Sequence, residues 1–221
     1  MVFFLKKQKI AIIIILLITV SISLGCISGT TQQKTPDTQK RTEYYTITDD
    51  YDRKIKIPKE VDRVISTAPA NTEILFALNA GNKVVGVTNY ADYPPSALNK
   101  TKIGGFQNPN LEKIILQQPD VILANPQTGK KVGSMLESMG YPIVVINPSN
   151  LTEVMENIEL IGRIVNKEQR ANNLTHQMQS KIEEIKTKTH REEPKTSLFI
   201  ISGFGGNYWV VGQKTFINKL K

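Results

Sequence analysis

The stretch Arg63 to Ala124, RVISTAPANTEILFALNAGNKVVGVTNYADYPPSALNKTKIGGFQNPNLEKIILQQPDVILA, decides the fold. Short apolar runs alternate in it with segments of helical period: Val64-Ile65, Val84-Val85-Gly86-Val87 and Val121-Ile122-Leu123-Ala124. This alternation predicts βαβ units around a parallel sheet. Three unusual segments sit between the runs: APANTE (Ala68 to Glu73), NYADYPP (Asn89 to Pro95) and IGGFQNPNLEKIILQQPD (Ile103 to Asp120). Ligands of open parallel sheets bind outside the carboxyl ends of the strands, and the three segments are expected there as loops.

Working outward, the strands are expected at Val64–Ser66, Val84–Thr88, Val121–Ala124 and Ile143–Ile146. Helical spacing places Ile74, Leu75, Ala77 and Leu78 on one helix, stopped near Gly81. A short helix over Leu111–Gln117 turns Leu111, Ile114 and Ile115 inward, and another over Val132–Met139 ends at Gly140. Pro94-Pro95 stiffens the second loop and is expected to prevent helix there. Upstream, Tyr44 to Pro58 alternates: Tyr45, Ile47 and Ile55, Ile57 flank Asp49-Asp50-Tyr51-Asp52, a β-hairpin pattern that covers an edge or a face of the sheet. Downstream, Asn150-x-x-Glu153 has the form of a capping box opening a helix that carries Val154, Ile158, Ile161 and Val165. A second helical segment carries Ala171, Leu174, Met178, Ile182 and Ile185, reaches about His190 and is halted by Pro194. After it come a strand at Ser197–Ser202, a Gly-rich turn at Gly203–Asn207, a strand at Tyr208–Val211 and the start of a helix at Thr215–Leu220.

The first nine residues are basic, with Lys6, Lys7 and Lys9, and Ile10 to Leu24 is almost wholly apolar. That run is short for a membrane span and of signal-peptide length. Gly25-Cys26 follows, so residues 1–25 are expected to be a lipoprotein signal, with Cys26 acylated as the new N-terminus. The alternative is an uncleaved anchor helix that also uses Val2 to Leu5. Either places the remainder outside the cytoplasm and tethered. Residues 26–43 lack the apolar content to fold and read as a flexible tether. Cys26 is the single cysteine, so no intrachain disulfide can form.

The formal charge is +8, and a product beginning at Cys26 sheds three lysines and no acid, leaving +5. No Arg-rich cluster with interleaved aromatics accompanies this excess, which argues against nucleic-acid binding. His176 and His190 fall on a polar helical segment without zinc-ligand spacing. Neither G-x-S-x-G nor a P-loop occurs, and Ser202-Gly203-Phe204-Gly205-Gly206 is too loose for a phosphate loop. The acid pairs Asp49-Asp50 and Glu192-Glu193 fall in turn or solvent contexts. No catalytic residue, metal site or cofactor is expected. Asn99, Asn150 and Asn173 stand in Asn-x-Ser/Thr sequons.

APANTE, Tyr90-x-Asp92-Tyr93-Pro94-Pro95, and Asn110-Leu111-Glu112 followed by Gln118-Pro119-Asp120 resemble the cobalamin-binding proteins of ABC importers. These belong to the wider group of solute-binding proteins for iron-siderophores, haem and corrinoids. The first two motifs point to the cobalamin branch; the others mark only the wider group. The resemblance runs from about Tyr44 to the last residue. It implies a class III periplasmic-binding-protein fold: a Rossmann-like α/β lobe over residues 44–150, a bridging helical segment over 151–193, and the start of a second α/β lobe over 194–221. A second lobe on the scale of a small domain needs roughly 100 residues, so the chain is expected to stop inside it.

The resemblance also implies roles. Pro69, Ala70 and Asn71 would present helix-start amides to the ligand. Tyr90, Phe106 and Trp209 would offer aromatic faces to a flat macrocycle. Glu112 would dock on arginines of the permease. Phe106 stands where relatives commonly carry a larger aromatic, and Asn125 where another aromatic can occur. On the residues alone, plainer readings apply: APANTE as a βα turn capped by Asn71 or Thr72, Tyr90 packed on its own loop, Trp209 as a core anchor, Glu112 as a solvated helix residue. The expected function is capture of cobalamin or another corrinoid and delivery to an importer's permease and ATPase, with no reaction catalysed. An iron-siderophore or haem is the alternative ligand, and a non-transport scaffold or remnant the alternative role.

Overall fold

The computed structural model of the chain describes residues 43–105, 107–128, 130–189, 198–204, 207–212 and 215–220. Expectations for the signal segment, the tether, Cys26 and Phe106 lie outside them. The hairpin comes first: β1 (Tyr44–Thr48) pairs antiparallel with β2 (Lys54–Pro58), with Ile47 opposite Ile55.

Five parallel strands form the central sheet: β3 (Val64–Ser66), β4 (Val84–Val87), β5 (Thr101–Lys102), β6 (Val121–Ala124) and β7 (Ile143–Val145), in the order β5-β4-β3-β6-β7. The α/β reading therefore holds, with one strand more than the sequence suggested. β5 has two residues, Thr and Lys, and carries no apolar alternation by which to find it. Five helices accompany the sheet: α1 (Pro69–Ala77), α2 (Leu111–Leu116), α3 (Lys130–Ser138), α4 (Leu151–Ile164) and α5 (Glu168–Thr189).

Strand side chains alternate between faces, and the core divides accordingly. On one face Val64, Val121, Leu123 and Val144 pack with Leu75 and Leu78 of the α1 region, Ile158 and Ile161 of α4, and Ile47 and Ile57 of the hairpin. On the other face Ile65, Ile122, Ala124, Ile143 and Val145 pack with Ile114 of α2 and Leu136 of α3. β6 is buried on both faces, which is why Val121 to Ala124 reads as an unbroken apolar run.

Local departures have local causes. APANTE is not a loop ahead of a helix; it is the first turn of α1, with Ala68 as N-cap and Pro69 at the opening position, where a missing N–H costs nothing. Ala68 makes no side-chain cap, and neither Asn71 nor Thr72 serves as one. Pro94-Pro95 likewise does not exclude helix: Pro95 opens a 3-10 turn over Pro95–Asn99. Gly104, at φ +104, reverses the chain after β5, where β-carbon-bearing residues are strained.

Asn150 caps α4 by accepting from the Glu153 N–H at 3.0 Å, as the capping-box pattern predicts. The Glu153 carboxylate, however, reaches back to Ser149 N–H, one residue before the cap. α4 and α5 cross closely at Gly162, where an added Cβ would lie 2.5 Å from the Ala171 Cβ. α5 has 22 residues, a length of about 33 Å. Its first half packs on the lobe through Ala171, Leu174, Thr175 and Met178, while Ile185 near its end is exposed.

A separate antiparallel pair, β8 (Ile200–Phe204) and β9 (Asn207–Val210), follows. β8 begins only at Ile200, after Leu198 and Phe199, and both strands run into the stretch expected as turn. The final helical turn is 3-10 and covers Ile217–Leu220. Leu198, Phe199, Ile200, Ile201, Tyr208, Trp209 and Val210 are all exposed.

Candidate functional site

The sheet order reverses direction between β3 and β6, because the chain first builds outward through β4 and β5 and then returns to the other side of β3. Such a switch point parts the loops that leave the two strands and opens a crevice at their carboxyl ends. A groove of about 720 Å³ lies there. Its walls are Ala68 to Asn71, Glu73 and Ile74 of the α1 start, Asn125 to Gln127 after β6, and Ile146 to Pro148 after β7. Val154 and Asn157 of α4 close one side.

The three strands that feed the groove, β3, β6 and β7, each lead into an X-Pro step: Ala68-Pro69, Asn125-Pro126 and Asn147-Pro148. Proline fixes φ and removes a donor, so the rim is stiff and sparing in N–H groups. The β3 exit is further locked by Ser66 Oγ donating to Ala68 O at 2.9 Å and Thr72 Oγ1 donating to Ser66 Oγ at 2.8 Å. At the β6 exit, Asn125 Oδ1 accepts from the Gln127 and Thr128 N–H groups at 2.8 and 2.9 Å. Asn125, which occupies an aromatic position in the resemblance, thus shapes its own loop.

The electrostatics of the lining are simple. Among the described residues, Glu73 is its one ionisable member, and no lysine, arginine or histidine lines it. Asn71, only 2% exposed, carries a buried Nδ2 that meets no hydrogen-bond acceptor among the described residues. A buried donor without a partner costs about 1–3 kcal/mol, so its survival at a groove wall needs a reason.

The hairpin turn reaches the same region, which the sequence reading missed. Asp49 does not sit in solvent: it is 3% exposed. Its carboxylate accepts from Arg53 Nε and Nη2 at 3.0 and 2.7 Å, from the Tyr51 and Arg53 N–H groups, and from the Val145 N–H of β7. Burial pushes its pKa up, but the hydrogen bonds from Arg53 and the three backbone N–H groups outweigh burial and hold it below the usual aspartate range. Asp50 accepts at Oδ2 from Asn157 Nδ2 at 2.7 Å and from the Asn147 N–H. Nothing local marks the tie of these acids to the lobe, because the partners Val145, Asn147 and Asn157 lie about a hundred residues away.

Of the residues expected at a site, Pro69, Ala70 and Asn71 line the groove. Tyr90 follows β4, is 59% exposed, and lies against the Gly105 backbone; it is not part of the lining. Trp209 is 73% exposed on β9, and Glu112 is exposed in the first turn of α2. Among the described residues, no group of three His, Cys, Asp or Glu side chains could hold a metal ion, and no helix is long and apolar enough to cross a membrane.

Comparison with known proteins agrees with this architecture. An uncharacterised ABC transporter substrate-binding lipoprotein of Bacillus subtilis is 31% identical over 97% of this chain and 70% of its own length. A vitamin B12-binding protein of Vibrio cholerae is 30% identical over 62% of this chain, which spans about half of that relative. The crystal structure of the periplasmic vitamin B12 binding protein of Vibrio cholerae superposes with a TM-score of 0.65 at 27% identity, over 72% of this chain and 62% of that one. The periplasmic heme binding protein of the same organism gives the same score and coverage at 28% identity. The family model for periplasmic binding proteins matches residues 64–220, and the chain belongs to that family.

Proposed function

We propose that this chain carries the ligand-binding lobe of an ABC-importer substrate-binding lipoprotein, and that its ligand is a corrinoid. The observation that carries the ligand choice is the lining of the switch-point groove: among the described residues it is uncharged except for Glu73, free of basic side chains, and includes Asn71, whose Nδ2 meets no acceptor there. Haem propionates and anionic siderophore chelates want cationic or multiple donor partners. A corrin ring carries neutral peripheral amides, which a groove lined by asparagines accommodates. Likeness to the B12-binding and heme-binding structures is equal, so the groove chemistry supports the choice.

Pro69, Ala70 and Asn71 would meet the ligand through the α1 start, and Tyr90, Phe106 and Trp209 would add aromatic area. Glu112 would be the docking residue for the permease, which an ATPase would drive. Cys26 would hold the protein at the outer face of the cell membrane. Residues 151–193 would bridge to the second lobe, which begins at 194–221. No reaction is catalysed in this reading.

Absorbance titration and calorimetry of the chain with cyanocobalamin, haemin and a ferric siderophore test it. Binding of cyanocobalamin in preference to the other two is expected. Asn71→Ala should then weaken that binding by about 1–3 kcal/mol while lowering folding stability by no more than about 1 kcal/mol, because relief of the unpaired buried donor offsets the lost packing. Preference for haemin or the siderophore sinks the corrinoid reading.

A further inference from the structure

The turn of the N-terminal hairpin reaches the ligand groove without lining it. Asp50 Oδ2 accepts from Asn157 Nδ2 at 2.7 Å and from the backbone N–H of Asn147, and both asparagines line the groove. The Asp50 N–H donates to Val145 O at 3.2 Å, so the turn is itself tied to the end of β7. Neighbouring Asp49 is buried and holds the Val145 N–H, which leaves the turn little freedom.

These contacts settle the orientation of one amide. An ionised carboxylate only accepts hydrogen bonds, so Asn157 must present its NH2 to Asp50. Its Oδ1 is then the amide atom left for the groove. Asn157 is 3% exposed, and a buried amide so held cannot exchange its two ends freely. We propose that Asp50 is a positioning residue that locks Asn157 with its carbonyl oxygen toward the ligand, making this part of the groove select N–H donors over carboxylates. The ligand group so recognised is a primary carboxamide. A carboxylate in the same place would face Oδ1 with no proton to share and would be disfavoured. This rests on the corrinoid reading only for the identity of the ligand, since the lock itself is a property of the hairpin, β7 and α4.

The test compares two substitutions at one position. Both donors use the same oxygen of Asp50, so Asp50→Asn can keep both contacts with its amide oxygen placed there. Asp50→Ala removes the acceptor and frees Asn157 to turn over. The full chain is titrated with cyanocobalamin and with each of its singly hydrolysed side-chain carboxylates. The wild type should prefer the intact amide over at least one carboxylate by about tenfold, the scale of one hydrogen bond made or lost in a desolvated site. Asp50→Asn should keep that preference, and Asp50→Ala should reduce it to less than about threefold.

An unchanged preference in Asp50→Ala overturns the proposal. So does an equal loss of all ligands in both variants, which would mark a merely structural role. Should the wild type bind haemin and no corrinoid, the corrinoid reading fails. The lock then predicts tighter haemin binding in Asp50→Ala alone, because Asn157 can turn its NH2 to a propionate. Binding of none of these probes overturns both.

Discussion

Asn71 and Asp49 are buried polar residues treated in opposite ways by the fold. Asn71 keeps an unpaired donor at a groove wall. Asp49 is surrounded by donors from Arg53, Tyr51 and Val145 that join the hairpin turn to β7. Its folded pKa lies below the ordinary aspartate value of about 3.9, so its contribution is fully present above that value. The contribution is lost as pH falls through the lower folded value. Asp49→Asn is expected to cost about 1–3 kcal/mol at neutral pH and to flatten the loss of stability on acidification. Urea midpoints measured from pH 7 down to pH 3 would check this, and parallel wild-type and variant curves would contradict it.

Among the elements, α4 and α5 are held at their closest approach by a glycine. The Ala171 Cβ occupies the space where a Gly162 side chain would go, at 2.5 Å, and the Lys167 carbonyl oxygen lies 3.4 Å from it. Neither neighbour is the end of a flexible side chain that can swing aside. Gly162→Ala gains helix propensity of about 1 kcal/mol but must push the helices apart, at about 1–3 kcal/mol for overpacking. The variant is therefore expected to be destabilised by up to about 2 kcal/mol, read as a lower denaturation midpoint. A midpoint equal to or above the wild type would show that the crossing can open without penalty. The contrasting element is the β8–β9 pair: its apolar residues face solvent on both strands, and a lone two-stranded sheet is marginal in water.

At the scale of the whole molecule, the chain spans 70% of its Bacillus subtilis relative and about half of the vitamin B12-binding relatives. The described body is the Rossmann-like lobe, with a groove at its switch point and α5 leading away from it. The proposed anchor is tested on the intact cell: Cys26→Ser should move the protein from the membrane to the soluble fraction. One acyl chain gives only marginal anchoring, so mass spectrometry of the wild-type N-terminal peptide should show at least two. Retention of the variant in alkali-washed membranes would mean that the apolar segment Ile10 to Leu24 is kept as an anchor instead.

The sequence by itself determined the layers and the family. Val64-Ile65, Val84 to Val87, Val121 to Ala124 and Ile143 to Ile146 could be read as strands because burial on two faces leaves an apolar run. Asn150 and Glu153 could be read as a helix start because capping is local. Pro69, Ala70 and Asn71, which line the groove, were legible as candidate ligand contacts only through the resemblance carried by APANTE. Tertiary structure alone decided the rest. β5 is too short and polar to leave a pattern, and it exists because β4 offers an open edge. The Asn71 donor is orphaned by what surrounds it, not by its neighbours in sequence. Asp49 and Asp50 look like turn acids, and their partners Val145, Asn147 and Asn157 are close only once the hairpin is folded onto β7. Periodicity and capping act over a few residues and are written locally, whereas the pairing of buried polar groups depends on which distant segments the sheet order brings together.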